Sequence, residues 1–170
     1  CSSDLAFSTY KFLKNNGYDV EIINYKNKTH WLAEYKVFLL TKNPKKLIFN
    51  IKKIFAFKED QKEMKLGKFT TDISMIKLEF DVIVVGSDIV WNYEWAFLGK
   101  DPVYFGKGLK SKKWISYAPS FGEVDCETSM VPDYVVRGLK KFSHISVRDE
   151  NSMCLVKKAC GKEVKVVLDP

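Results

Sequence analysis

The stretch FDVIVVGSDIVWN, residues 80–92, carries the reading of the fold. Residues 82–85 form an unbroken apolar run that stops at Gly86, Ser87 and Asp88, with Trp91 close behind. Runs of this kind mark parallel strands, because helices cover both faces of their sheet. The run therefore predicts a buried parallel strand. Ligands of open α/β sheets gather at the carboxyl ends of such strands, in the crevice outside the sheet, which is where Asp88 would stand. A purely local reading of the same residues is a tight turn capping a helix that begins near Ile89, since serine and aspartate are favoured N-caps.

Outward from this stretch the pattern alternates. Residues 91–105 read as an aromatic loop, and residues 114–118 as a second strand that delivers Ser120, Phe121 and Gly122 to its carboxyl end. Residues 131–142 are amphipathic with helical spacing, residues 145–147 form a short strand leading into Arg148 and Asp149, and residues 150–159 read as a helix. A last strand, 164–168, runs into Asp169 and Pro170. Strands alternating with helices indicate an α/β fold with a Rossmann-like parallel sheet.

Toward the amino terminus, residues 4–15 have helical spacing, with Ser2 or Ser3 as cap and Gly17 as stop. YDVEIINY, residues 18–25, alternates and is rich in β-branched residues, so it predicts a strand. Together they resemble the later part of a β-α-β unit whose first strand would precede Cys1, the expectation for a piece of a larger protein. Residues 31–57 are helical with Pro44 as a boundary, and residues 58–71 read as a polar, mobile connection. The expected organisation is one Rossmann-like domain over residues 1–170, carrying a lysine-rich helical insertion at about 26–72.

The composition, 46% hydrophobic and 29% charged over 170 residues, is that of a globular domain, and no apolar stretch is long enough to span a bilayer. Cys1, Cys126, Cys154 and Cys160 contain no C-x-x-C pair and lie far from His30 and His144, which argues against a zinc site. Free thiols in a reducing cytoplasm are the simplest reading, with a disulfide as the alternative. The net charge of +7 is concentrated: residues 26–68 hold 12 lysines against four acids, an excess of 8. In KKLIFNIKKIFAF the positions Leu47, Ile48, Ile51, Ile54 and Phe55 form one stripe, with Lys45, Lys46, Lys52 and Lys53 largely off it. Such a helix suits either a protein core or an anionic membrane interface.

Three predicted strands end in polar groups on what right-handed winding makes one edge of the sheet: Gly86-Ser87-Asp88, Pro119-Ser120-Phe121-Gly122, and Arg148-Asp149. A carboxylate there can accept a proton from a hydroxyl, and an arginine fork binds a carboxylate or phosphate in bidentate fashion. The pair suits a reaction between a hydroxyl-bearing acceptor and an anionic donor. The structural alternative for Arg148 is an ion pair with Asp149 or Glu150. Neither G-x-G-x-x-G nor G-x-x-x-x-G-K-[ST] is present, Ser87 lacks the second glycine of a nucleophile elbow, and His144 reads as structural. Trp91, Tyr93 and Tyr104 could stack on a sugar ring or cover the core.

FDVIVVGSDIVWN, then ISYAPSFG, FSHISVRDENS and VKVVLDP, resembles the serial signature of the polysaccharide pyruvyl transferase family, and YKFLKNNGYDVEIINY resembles its opening helix and strand. The chain departs from the family pattern at Ile89, where glutamine is usual, and at Pro119, where alanine is usual. The resemblance implies the amino-terminal half of a two-domain enzyme of GT-B type, whose carboxyl-terminal partner domain is missing from this chain. It implies transfer of pyruvate from phosphoenolpyruvate to a sugar hydroxyl of a cell-surface polysaccharide or its precursor, as a ketal. Asp88 is then the expected base, and Gly86, Ser87, Trp91, Ser120, Phe121, Gly122 and Arg148 the expected substrate contacts. Neither a cofactor nor a metal is expected. The implied partners are phosphoenolpyruvate and a glycan or lipid-linked glycan, not nucleic acid, in the cytoplasm with contact to the inner face of the membrane. The rival readings are a GT-B sugar-nucleotide glycosyltransferase and a non-catalytic binder of anionic polymer or membrane through the lysine-rich segment.

Overall fold

Residues 2–96 and 100–170 are described by the computed structural model, the side chains of residues 2–4, 37–39, 53 and 55–61 excepted. The chain divides into two compact units, one of residues 1–8 and 73–170 and the other of residues 9–72. The expected insertion at about 26–72 is thus the larger part of a unit that begins at Thr9.

The larger unit has two parallel sheets, of three and two strands, with helices. Strand β1 (Glu79–Asp88) pairs in parallel with β2 (Lys110–Pro119), and β2 with β3 (Phe142–His144). Helix α4 (Asp133–Lys141) precedes β3, and α5 (Glu150–Cys160) joins β4 (Ser146–Val147) to β5 (Lys165–Val166), which also pair in parallel. Where one strand is predicted at 145–147, two short strands stand on either side of Ile145, β3 in one sheet and β4 in the other. Serine side chains bridge the break: Ser146 N donates to Ser116 Oγ (3.2 Å), Ser116 Oγ to the Ser146 carbonyl (3.0 Å), and Ser146 Oγ to the Ser116 carbonyl (2.9 Å). These hydroxyls do the work of a backbone ladder and hold β4 beside β2. The helix of the alternative, purely local reading does not form; residues 89–91 are a bend and turn.

One face of the sheet is buried and the other is largely open. Ile83, Val85 and Ser87 of β1 and Trp114, Ser116 and Ala118 of β2 point inward, while Val82 and Tyr117 are exposed. The apolar run at 82–85 is therefore fully buried on one face only, Val84 being partly buried and Val82 exposed on the other, which corrects the expectation of a strand buried on both. The inward face meets an aromatic core centred on Trp91, whose ring stacks on Phe105 (5.9 Å between centroids), tilts against Phe121 (5.4 Å) and meets Phe142 edge-on (5.6 Å). Gly138 of α4 lies so close to Phe105 that a Cβ would sit 2.5 Å from its carbonyl oxygen. A larger residue would lift the helix from this core.

Helix α1 (Ser2–Asn15) starts in the larger unit and ends in the smaller, where it leads to residues 18–25, which form no ladder and only isolated parallel bridges, Ile22 to Leu66 and Tyr25 to Thr70. The predicted strand 18–25 is replaced by these contacts because its neighbour, residues 65–70, meets it at single positions. The same bridges mean that residues 58–71 are more than a polar connection: α3 runs on to Asp60, a 3-10 helix covers Gln61–Glu63, and Tyr10 Oη accepts from Lys65 N (3.1 Å). Helices α2 (Lys28–Leu39) and α3 (Pro44–Asp60) flank Pro44 as expected and pack on each other. The stripe divides: Leu47 and Ile54 are partly buried and Asn50 is buried, but Ile48 and Ile51 are exposed. Lys53 and Phe55 lie outside the described side chains.

Cys126 and Cys154 form a disulfide, with Cα atoms 6.1 Å apart. This overturns the expectation of free thiols at those two positions. Spacing along the chain does not reveal the pair, because it is made by α5 folding back beside the loop that follows β2. Among the described residues Cys160 is a free thiol, and no group of histidine, cysteine and carboxylate side chains suits a metal ion.

Candidate active site

Strands β1, β2 and β3 run parallel in one sheet and β4 and β5 in another; β4 follows β3 in the chain and is held beside β2 by Ser116 and Ser146, so β1, β2, β4 and β5 deliver their carboxyl ends to one edge. Asp88 closes β1 with φ +79°, the left-handed region that side-chain-bearing residues rarely occupy. Two backbone bonds hold it there: Ser120 N donates to the Asp88 carbonyl (2.9 Å), and Trp91 N to the Ser120 carbonyl (3.1 Å). Its carboxylate accepts from the Ile89 N–H (2.9 Å). Strain of this kind persists only where the surroundings over-determine it, and it concentrates at functional sites.

Arg148, at the end of β4, reaches across the end of β2, and its Nη1 comes within 3.8 Å of Asp88 Oδ1. The same Nη1 donates to Asp169 Oδ2 at 3.4 Å. The structure therefore brings Asp88 and Arg148 to one edge, and neither Asp149 nor Glu150 takes the arginine. Asp149 instead caps α5, accepting from Ser152 N (2.7 Å). Asp88 and Arg148 are both partly exposed, so incoming groups can reach them. Asp169 was given no role from sequence, although the strand-end logic that selected Asp88 applies equally to the residue after the strand predicted at 164–168, of which 165–166 forms as β5.

The other expected contacts are turned inward. Trp91 is fully buried, and its indole N–H donates to the Tyr104 carbonyl (3.0 Å), so it packs the core instead of shaping an acceptor surface. Tyr93 is buried against Phe121, and burial pushes its phenol up to about 12. Ser87 alternates with Ile83 and Val85 on the buried face, and its Oγ has no hydrogen-bond partner among the described residues. Ser120 and Phe121 are buried as well. Four of the expected substrate contacts, Ser87, Trp91, Ser120 and Phe121, thus have side chains that strand alternation and loop folding bury within this chain.

Two glycines are explained by close approach. At Gly86 a Cβ would lie 1.8 Å from the Tyr117 carbonyl oxygen, so the absent side chain admits the neighbouring strand. Gly122 has φ +63°, and a Cβ there would meet Ile89 Cγ2 at 2.7 Å. The loop it belongs to is held by the first turn of α5, which sequence reading did not single out. Ser152 Oγ accepts from Phe121 N (3.0 Å), while Asn151 Nδ2 donates to the carbonyls of Val124 (2.8 Å) and Gly122 (3.3 Å). The result is a carboxylate on a left-handed backbone and an arginine, both mounted on largely buried, hydrogen-bonded strand ends and loop.

Over residues 3–170 the sequence matches the profile of the family described as polysaccharide pyruvyl transferase. The chain belongs to the polysaccharide pyruvyl transferase family. No curated protein and no solved structure matches it. For this family member the mixed α/β fold with a parallel sheet is what the structure displays, and the family is one of transferases.

Proposed function

We propose that this pyruvyl transferase family member takes part in moving pyruvate from phosphoenolpyruvate onto a sugar diol as a ketal, at a site that includes Asp88 and Arg148. The observation that carries the reading is the meeting of Asp88, held at φ +79°, with Arg148 at 3.8 Å on the carboxyl edge of the sheet. In the overall reaction the methylene carbon of the donor gains a proton. Its central carbon forms two bonds to sugar oxygens, both hydroxyls lose their protons, and phosphate leaves with the electrons of the broken carbon–oxygen bond. Asp88 acts as the base that takes a hydroxyl proton as the oxygen attacks. Arg148 binds the donor's carboxylate or phosphate through its planar fork. Asp169 orients the guanidinium when the donor is absent. Family membership supports the donor class, and a GT-B partner domain on the far side of a cleft would complete the site in the cytoplasm.

The test is to offer the full-length protein phosphoenolpyruvate or a UDP-sugar in parallel, each with a glycan acceptor. Phosphate released only in the first mixture, and pyruvate recovered on the glycan, is the expected result. UDP released in the second would replace this reading with glycosyl transfer.

A further inference from the structure

The side chains of α2 and α3 sort by face in a way that neither a protein core nor transfer chemistry accounts for. At 3.6 residues per turn, Trp31, Leu32 and Tyr35 share one arc of α2 with Lys28 and Lys36, and all five are exposed. On α3, Ile48 and Phe49, 57% and 65% exposed, share an arc with Lys45 and Lys52, while Leu47, Asn50 and Ile54 face the other way. Leu40, between the two helices, is 68% exposed. Apolar exposure repeated along one arc of each of two packed helices marks a surface that meets something.

The charges on these arcs are available. Glu34 sits on the other side of α2, bound to Lys26 (2.5 Å) and His30 (3.3 Å), and Glu63 pairs with Lys11 (3.2 Å). Among the described residues no ion pair engages Lys28, Lys36, Lys45 or Lys52. Each arc therefore offers free ammonium groups around exposed aliphatic and aromatic side chains.

We propose that these two arcs dock the protein on an anionic lipid surface, Trp31, Leu32, Tyr35, Ile48 and Phe49 entering the headgroup boundary and the four lysines meeting lipid charge. A charged polymer would explain the lysines but not the apolar side chains beside them. A bilayer explains both: tryptophan and tyrosine favour the interface, and lysine stems lie along apolar surface while their heads reach water. No helix among the described residues is long and apolar enough to cross a membrane, so these helices lie on the surface. The docking stands apart from the transfer reaction and survives its failure.

The experiment is cosedimentation of the full-length protein with phosphatidylcholine vesicles, with and without phosphatidylserine. Wild type binds only the anionic vesicles, with a blue shift in tryptophan emission. Each single Lys→Gln change at 28, 36, 45 or 52 weakens binding about fivefold, the equivalent of about 1 kcal/mol per lysine near the surface. A Trp31→Ser, Leu32→Ser, Ile48→Ser, Phe49→Ser variant, checked for unchanged helicity, loses the binding that wild type retains when salt screens the lysines. Failure of wild type to bind anionic vesicles overturns the proposal. So does a serine variant that binds like wild type and is displaced by polyphosphate, which would identify a polyanion site.

Discussion

Asp88 combines three properties that seldom coincide: a left-handed backbone, a partly exposed carboxylate and an arginine within 3.8 Å. If it is the base, Asp88→Asn removes the proton acceptor while preserving size, and turnover should fall about 10²–10⁴-fold with donor affinity nearly unchanged. Arg148→Lys keeps the charge and loses the fork, so its damage should appear as weaker donor binding. Calorimetric titration with phosphoenolpyruvate beside steady-state rates separates the two effects, and an Asp88→Asn enzyme with near-normal turnover would reduce the residue to a strained turn. Gly86 gives a structural counterpart. Gly86→Ala places a methyl 1.8 Å from the Tyr117 carbonyl oxygen, so β1 and β2 must separate, at a cost of about 1–3 kcal/mol or more. Denaturant unfolding should register that loss, and an unchanged midpoint would contradict the close approach.

At the scale of elements, α5 is the part that holds the edge of the sheet together. Its first turn binds the loop after β2 through Asn151 and Ser152, Lys158 Nζ donates to the Cys126 and Ser129 carbonyls (2.6 and 3.0 Å), and Cys154 is bonded to Cys126. Beyond the helix, Lys162 Nζ donates to the carbonyls of Leu139, Lys140 and Phe142, which tethers the end of α4. The disulfide closes a segment of sequence separation 28, for which loop-closure entropy corresponds to about 3–4 kcal/mol. Cys154→Ser, or reduction of the wild type, should lower unfolding stability by roughly that amount, and reduction should leave the Cys154→Ser protein unaffected. A reductant-insensitive wild type would show that the two sulfurs are not joined.

The whole molecule joins two units of different construction. The larger has an aromatic core beneath a parallel sheet; the smaller relies more on polar ties between helices and loops. Glu34 is the clearest of these. Partial burial pushes its carboxyl up, but hydrogen bonds from His30 and Lys26, together with their charges, outweigh burial and hold it at about 2, against an ordinary 4.5. A depressed folded value means the stabilisation is present in full above the unfolded value and is lost as pH falls toward the folded one. The smaller unit should therefore lose this contribution between pH about 4.5 and about 2. Thermal melts of wild type and Glu34→Gln across that window provide the check: the stability difference between them should shrink as pH falls, and a constant difference would remove the ion pair from the account.

The sequence by itself determined the family, the parallel α/β class and the strand ends that bear Asp88 and Arg148, because unbroken apolar runs, helical spacing and the residues that stop them are local signals. The helix boundary at Pro44 was legible for the same reason. Tertiary structure alone decided which side chains of those motifs face out. Ser87, Trp91, Ser120 and Phe121 share motifs with the exposed pair, yet strand alternation and loop packing bury them. It also decided the Cys126–Cys154 bond, the break at Ile145, the isolated bridges in place of a strand at 18–25 and the role of Asn151 and Ser152. Each of these depends on groups far apart in the chain meeting in space, and spacing along the sequence carries no record of such a meeting until the sheet and helices have brought the groups together.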